Sequence, residues 1–115
     1  MNNYKELRIW QKAMDLVVLV YKETGKFPHE ETYGLLSQMR RCAVSIPSNI
    51  AEGNQRTINK FFKQFIAVAR GSCAELETQN QIAFQLGFVE QKFYDVINQK
   101  IVELGKMLTV FNSKL

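Results

Sequence analysis

Hydrophobic residues recur along this chain at alternating spacings of three and four, the period of a helix with one buried stripe. They do so in four separate stretches, with no convincing strand between them. The first runs from about Leu7 to Thr24 through Leu7, Trp10, Met14, Val17, Tyr21 and Thr24. A second stripe, Ile9, Ala13, Leu16 and Val20, lies beside it. Together they form an apolar face wider than a bundle core requires, so this helix is expected to touch a second partner. Gly25 follows as a stop, where a left-handed residue closes a helix cheaply.

Pro28 with Glu30 and Glu31 behind it predicts the next helix start. A first-turn proline forfeits no hydrogen bond, and carboxylates favour the positive helix end. Leu36, Met39, Ala43, Ile46 and Ile50 carry the stripe to about Glu52, with Gly53 as the end. After the polar link Asn54 to Thr57, with Thr57 as an N-cap, the longest pattern comprises Ile58, Phe62, Phe65, Ala69, Ser72, Leu76, Gln79, Ala83 and Leu86. Gly87 is its stop. The last helix, from about Glu90 to Phe111, buries Phe93, Ile97, Ile101, Leu104, Leu108 and Phe111. Short links make sequential helices antiparallel, so the expected fold is all-α, an antiparallel up-down four-helix bundle.

Pro47 interrupts this regularity. Inside a helix it cannot donate to the carbonyl of Ala43, and its ring crowds that carbonyl, at a cost of about 3 kcal/mol. The helix can break near Ser45 and restart, or continue with a bend. Ile46 and Ile50 keep the phase set by Leu36 and Met39, so a second helix bent at Pro47 is expected. Water or a nearby polar side chain can meet the freed carbonyl.

At 115 residues the chain has room for one domain with a real core, taken as residues 1–115. Its longest apolar runs, such as Leu16 to Tyr21, fall far short of the roughly 20 residues of a membrane span. No leader pattern opens it, so a cytoplasmic location is the expectation. Cys42 and Cys73 lie in apolar helical surroundings and read as buried reduced thiols. His29 is the only histidine and no Glu-x-x-His pair exists, which removes the ligand set of a di-iron carboxylate bundle. No cofactor and no metal is expected.

Charge changes the picture more than composition does. The net charge is +4, and residues 40–70 hold six basic side chains against one acidic, Glu52. Elsewhere the two signs nearly balance. Arg56, Lys60, Lys63 and Arg70 are separated by four, three and seven residues, which would place all four on one face of the third helix. That row would be roughly 21 Å long, enough to follow several phosphates. Arg40 and Arg41 sit on the preceding helix. Such a row can also be no more than the solvated face of an amphipathic helix; the missing counter-charge favours a polyanion. Phe61, Phe62 and Phe65 adjoin these cations and could stack bases, but Phe62 and Phe65 are in phase with the apolar stripe and read as core.

Catalysis finds no support in the residues. There is no phosphate-cradling glycine loop, no zinc spacing and no nucleophile motif, and His29 reads as a solvent-exposed loop residue.

Four blocks, LRIWQKAMDL (Leu7 to Leu16), FPHEETYGLLSQMRR (Phe27 to Arg41), SIPSNIAEG (Ser45 to Gly53) and ARGSCAELE (Ala69 to Glu77), cover nearly the whole chain in order. In that combination the sequence resembles the four-helix-bundle family of 23S ribosomal RNA intervening-sequence proteins, SIPSNIAEG being the most specific block. The resemblance implies a bundle whose second helix carries the proline, assembled as a ring-like homopentamer. It also brings in a related protein, the accessory variability determinant of diversity-generating retroelements, a basic pentamer that works beside a reverse transcriptase. The family has no established catalytic residues to carry over. The leading expectation is a non-catalytic oligomer that contacts RNA or DNA phosphates through Arg40, Arg41, Arg56, Lys60, Lys63 and Arg70. The alternative is an oligomeric scaffold for a protein partner, with no direct nucleic acid binding.

Overall fold

The computed structural model describes residues 3–115, and among them every regular element is helical. A single 3-10 turn, Tyr4–Glu6, leads into α1, Arg8–Thr24. A second 3-10 turn, His29–Glu31, precedes α2, Leu35–Asn54; α3 is Asn59–Gln85 and α4 is Gln91–Ser113. Each helix packs on its chain neighbours and α1 closes the ring on α4, which leaves α1 and α3 on one diagonal and α2 and α4 on the other. The bundle measures 43 × 23 × 20 Å. No helix among the described residues is long and apolar enough to cross a membrane.

Burial decides between the stripes of α1. Ile9, Ala13, Leu16 and Val20 are the core residues, whereas Met14 and Tyr21 of the longer stripe are exposed. The opposing layers explain the choice: Met39, Ile46 and Ile50 of α2, Ile66 and Leu76 of α3, and Ile97, Ile101, Leu104 and Leu108 of α4 converge on one axis. Each fully buried side chain of this kind contributes about 1.5–3 kcal/mol. The α3 stripe holds for Phe62, Ala69, Ser72, Leu76, Gln79 and Ala83, but Ile58 and Leu86 at its ends are exposed and Ile66, Cys73 and Asn80 join it.

Three expected boundaries shift, each for a local reason. Pro28 opens the 3-10 turn rather than α2, because the Glu31 carboxylate reaches forward to accept from the Leu35 amide at 3.1 Å and starts the helix there. The cap of α3 falls on Ile58, not Thr57, with the Ile58 carbonyl accepting from Phe61 and Phe62. Gly53 does not end α2 but lies inside its last turn, against α3.

The two glycine stops also part ways. Gly87 has φ of 78° and closes α3 as expected, Phe88 donating back to the Ala83 carbonyl and Gly87 to Phe84. Gly25 is right-handed instead, and the chain winds on through bonds from Lys26 to Glu23 and from Phe27 to Thr24. That extra winding delivers Phe27 into the core, its ring 5.5 Å from Phe88.

Helix α2 is continuous through Pro47, so no break and restart occurs. The hydroxyl of Ser45 donates to the Cys42 carbonyl at 2.6 Å and the Asn49 amide donates to the Ser45 carbonyl at 2.7 Å. These donors serve the carbonyls of Cys42 and Ser45, on either side of Ala43, and neither reaches the Ala43 carbonyl itself.

Candidate nucleic-acid interface

Lys60, Lys63 and Arg70 stand exposed on α3, as the spacing requires. Lys63 and Arg70 are two turns apart on one flank. Arg56 does not continue the row on a helix. It lies in the α2–α3 link, where its Nη2 meets Glu52 Oε1 at 3.3 Å and its guanidinium covers the Phe65 ring at 4.9 Å. The acid that is alone among the cations of residues 40–70 is therefore Arg56's own partner. The row that remains, Lys60 to Arg70, is about 15 Å long.

The two arginines of α2 are not brought to this row. Arg40 donates from Nε to Thr24 Oγ1 at 2.9 Å and from Nη2 to the Tyr21 carbonyl at 3.1 Å, fastening α2 to the end of α1. Arg41 is exposed on the α2–α3 groove beside Ser45, Ser72 and Glu75. Arg70 lines the α3–α4 groove, on the other flank of α3.

Cations from elsewhere in the chain take their place. Lys106 of α4 faces Arg70 across the α3–α4 groove, and it also lines the α1–α4 groove with Arg8 and Lys114. Antiparallel packing creates this cluster: the starts of α1 and α3 and the ends of α2 and α4 share one end of the bundle, where Leu7, Asn54, Asn59 and Phe111 line a common hollow. Residues 3–15, 45–71 and 103–115, the half toward that end, carry nine basic and four acidic side chains, against six and seven in the other half. Arg8, Lys60, Lys63, Arg70, Lys106 and Lys114 enter no ion pair with the described residues. The carboxylate of Glu77 sits on the α3–α4 groove two turns beyond Arg70 and marks the limit of the basic surface. Spacing along one helix gives no sign of Arg8, Lys106 and Lys114, whereas charge summed by bundle end does.

The aromatics divide as the stripe predicts. Phe62 is buried, its ring 5.4 Å from Phe111, and Phe65 is half-buried beneath Arg56, whereas Phe61 is exposed. Both cysteines are free and buried. Cys42 donates from Sγ to the Ser72 carbonyl at 3.1 Å. Burial, and then the nearby Glu75, push its pKa up to about 12; burial and Glu77 push Cys73 up to about 11. Neither thiol is a nucleophile near neutral pH. His29 is exposed in its 3-10 turn.

Comparison with known proteins bears on this geometry. A family profile described as 23S rRNA-intervening sequence protein matches residues 5–110. Among solved structures, a protein of unknown function from the S23 ribosomal protein family of Bacteroides thetaiotaomicron superposes with a TM-score of 0.85 at 20% identity, over 91% of this chain and 95% of that one. At that identity the likeness concerns the fold. No curated protein matches the chain.

Proposed function

This chain belongs to the family of 23S rRNA-intervening sequence proteins, and from that premise we propose that it is a non-catalytic protein that binds RNA or DNA through phosphate contacts at the basic end of its bundle. The observation that carries this reading is Arg70 on α3 facing Lys106 on α4 across one groove, with Lys63 two turns before Arg70 on the same flank, three cations from two helices in no ion pair with the described residues. Lys60, Arg8 and Lys114 extend it. A solvated face commonly balances its signs; this end of the bundle gathers nine basic side chains against four acidic from distant parts of the sequence. Phosphates neutralised here release counterions, and the contacts read no bases. Arg70 and Arg8 offer bidentate forks, the lysines point charges.

Self-association is the second part of the reading. It is supported by the groove between α1 and α2, where Trp10, Met14, Val17 and Val44 present apolar surface that the bundle leaves uncovered, Met14 at 38% and Val44 at 40% exposure. A ring of subunits would repeat the basic surface and raise avidity without a new contact. Sedimentation reads the assembly state directly.

Salt-titrated binding of a fluorescent oligouridine tests the first part. Replacing Lys63, Arg70 and Lys106 together by alanine should flatten the slope of log affinity against log salt by about 2, since each phosphate contact on a single strand contributes roughly 0.7. No saturable binding near physiological ionic strength, or a triple variant with slope and affinity intact, would overturn it; assembly without binding would then favour the scaffold.

A further inference from the structure

The groove between the start of α1 and the end of α4 has a chemistry that phosphate contacts leave unused. Its floor is Leu7, Ile9, Met107, Val110 and Phe111, its rim is Arg8, Lys106 and Lys114, and its volume is about 390 Å³. No carboxylate side chain lines it. Val110 is 53% exposed there, an apolar side chain set among cations with nothing of this chain over it. Phe111 is held in place from behind by Phe62, edge to face at 63° between ring planes. Floor and rim together ask for a ligand that is flat and apolar in one part and anionic on either side.

We propose that this groove takes an unpaired nucleobase, which makes the ligand a single strand rather than a duplex. The proposal rests on the nucleic-acid reading above and goes beyond it, because phosphate contacts alone do not distinguish one strand from two. A base laid on the floor meets the polarisable thioether of Met107 and the ring of Phe111, both of which favour aromatic faces over aliphatic ones. The phosphates flanking that base reach the rim, where Arg8 can grip one bidentately and Lys106 and Lys114 act as point charges. In a duplex the base faces are hidden in the stack, so the floor would remain uncovered. Lys106 lines both this groove and the α3–α4 groove that holds Arg70, so a strand crossing α4 from one to the other passes over the floor. An acidic amphipathic helix of a protein partner would match the rim charge too, and lacks the aromatic faces that the floor favours.

The test compares three probes on the full chain by fluorescence anisotropy at physiological ionic strength: a short oligouridine, an abasic strand of equal length and charge, and oligouridine paired with oligoadenine. Oligouridine should bind about fivefold or more tighter than the abasic strand, the span that stacking of one base provides, and tighter than the duplex. Met107→Gln with Val110→Asn, both neutral and at positions that are not fully buried, should erase that advantage while leaving abasic binding and its salt slope unchanged. Circular dichroism confirms that the variant is folded. Equal binding of oligouridine and abasic strand by the unaltered protein overturns the base assignment while leaving the phosphate reading standing. Failure of every strand to bind overturns both. Binding of an acidic leucine-rich helical peptide that Met107→Gln with Val110→Asn abolishes, and that excess oligouridine does not reverse, assigns the groove to a protein and overturns the proposal.

Discussion

Arg40 lays its guanidinium over the ring of Tyr21, 4.5 Å from the centroid, and donates to the same residue's carbonyl at 3.1 Å. Tyr21 lies in the last turn of α1, at the negative end of the helix dipole, and its carbonyl also accepts from the Gly25 amide at 3.2 Å. The cation therefore adds a second, charged donor at the end of α1 and fastens α2 to it. Arg40→Ala should lower unfolding free energy by about 1–2 kcal/mol, the lower range for charged hydrogen bonds because the group is half-exposed. Arg40→Lys should recover part of it, since a single ammonium cannot reproduce the fork. Urea titration measures both, and nucleic acid affinity should be unchanged in either variant.

Two glycines on facing helices should respond to alanine with opposite signs. At Gly53 a Cβ would stand 2.6 Å from Phe65 Cβ and 2.9 Å from Phe62 Cδ1, and the nearer of these is fixed to the backbone. Helices α2 and α3 would have to separate, so Gly53→Ala should destabilise by about 1–3 kcal/mol despite alanine's better helix propensity. At Gly71, also helical, a Cβ meets nothing within 4 Å. Gly71→Ala should therefore stabilise the protein by about 0.5–1 kcal/mol, a rise in melting temperature that calorimetry resolves.

What the periodicity could and could not reveal follows from these same residues. Helix number, order and the core of α4 were legible because a period of three and four needs no knowledge of neighbours. Which stripe of α1 faces inward was not, since Trp10, Met14 and Tyr21 satisfy the period as well as Ala13, Leu16 and Val20, and only the packing of α2 and α4 chooses. The start of α2 depended on which amide ahead of it the Glu31 carboxylate accepts from, a choice among several competing local bonds. The basic row was half legible. Lys63 and Arg70 belong to one helix, but Lys106 reaches Arg70 only across a groove between helices, and Arg56 was removed from the row by its own Glu52.

The thiols make the fold sensitive to alkali in a predictable direction. Their folded-state pKa values, about 12 for Cys42 and about 11 for Cys73, are raised above the ordinary 9.0. Below about pH 9 the thiols are protonated in both states and their contribution is complete. Between there and the folded values the unfolded chain releases protons that the native state keeps, so stability falls as pH rises. Melting temperature should drop across this window, and less steeply for Cys42→Ala. At about pH 8, iodoacetamide should modify neither thiol until denaturant is added. Rapid labelling of the native protein would contradict the burial.

Pro47 is the last residue whose replacement separates two explanations. Its ring is buried and also lines the α1–α2 groove with Trp10, Met14 and Val17, so it has both an internal and an external neighbourhood. Alanine restores an amide that can donate to the Ala43 carbonyl and relieves the ring's crowding, worth about 3 kcal/mol. Against this stands the loss of a few buried carbons, about 1–2 kcal/mol. Pro47→Ala should thus raise stability by about 1 kcal/mol in urea titration at a protein concentration low enough to hold the monomer. If the groove seats a second copy, the same change should weaken assembly, and sedimentation should show a lower mass at a given concentration. A more stable protein of unchanged mass would tie the proline to neither purpose, and would move the self-association surface away from α1 and α2.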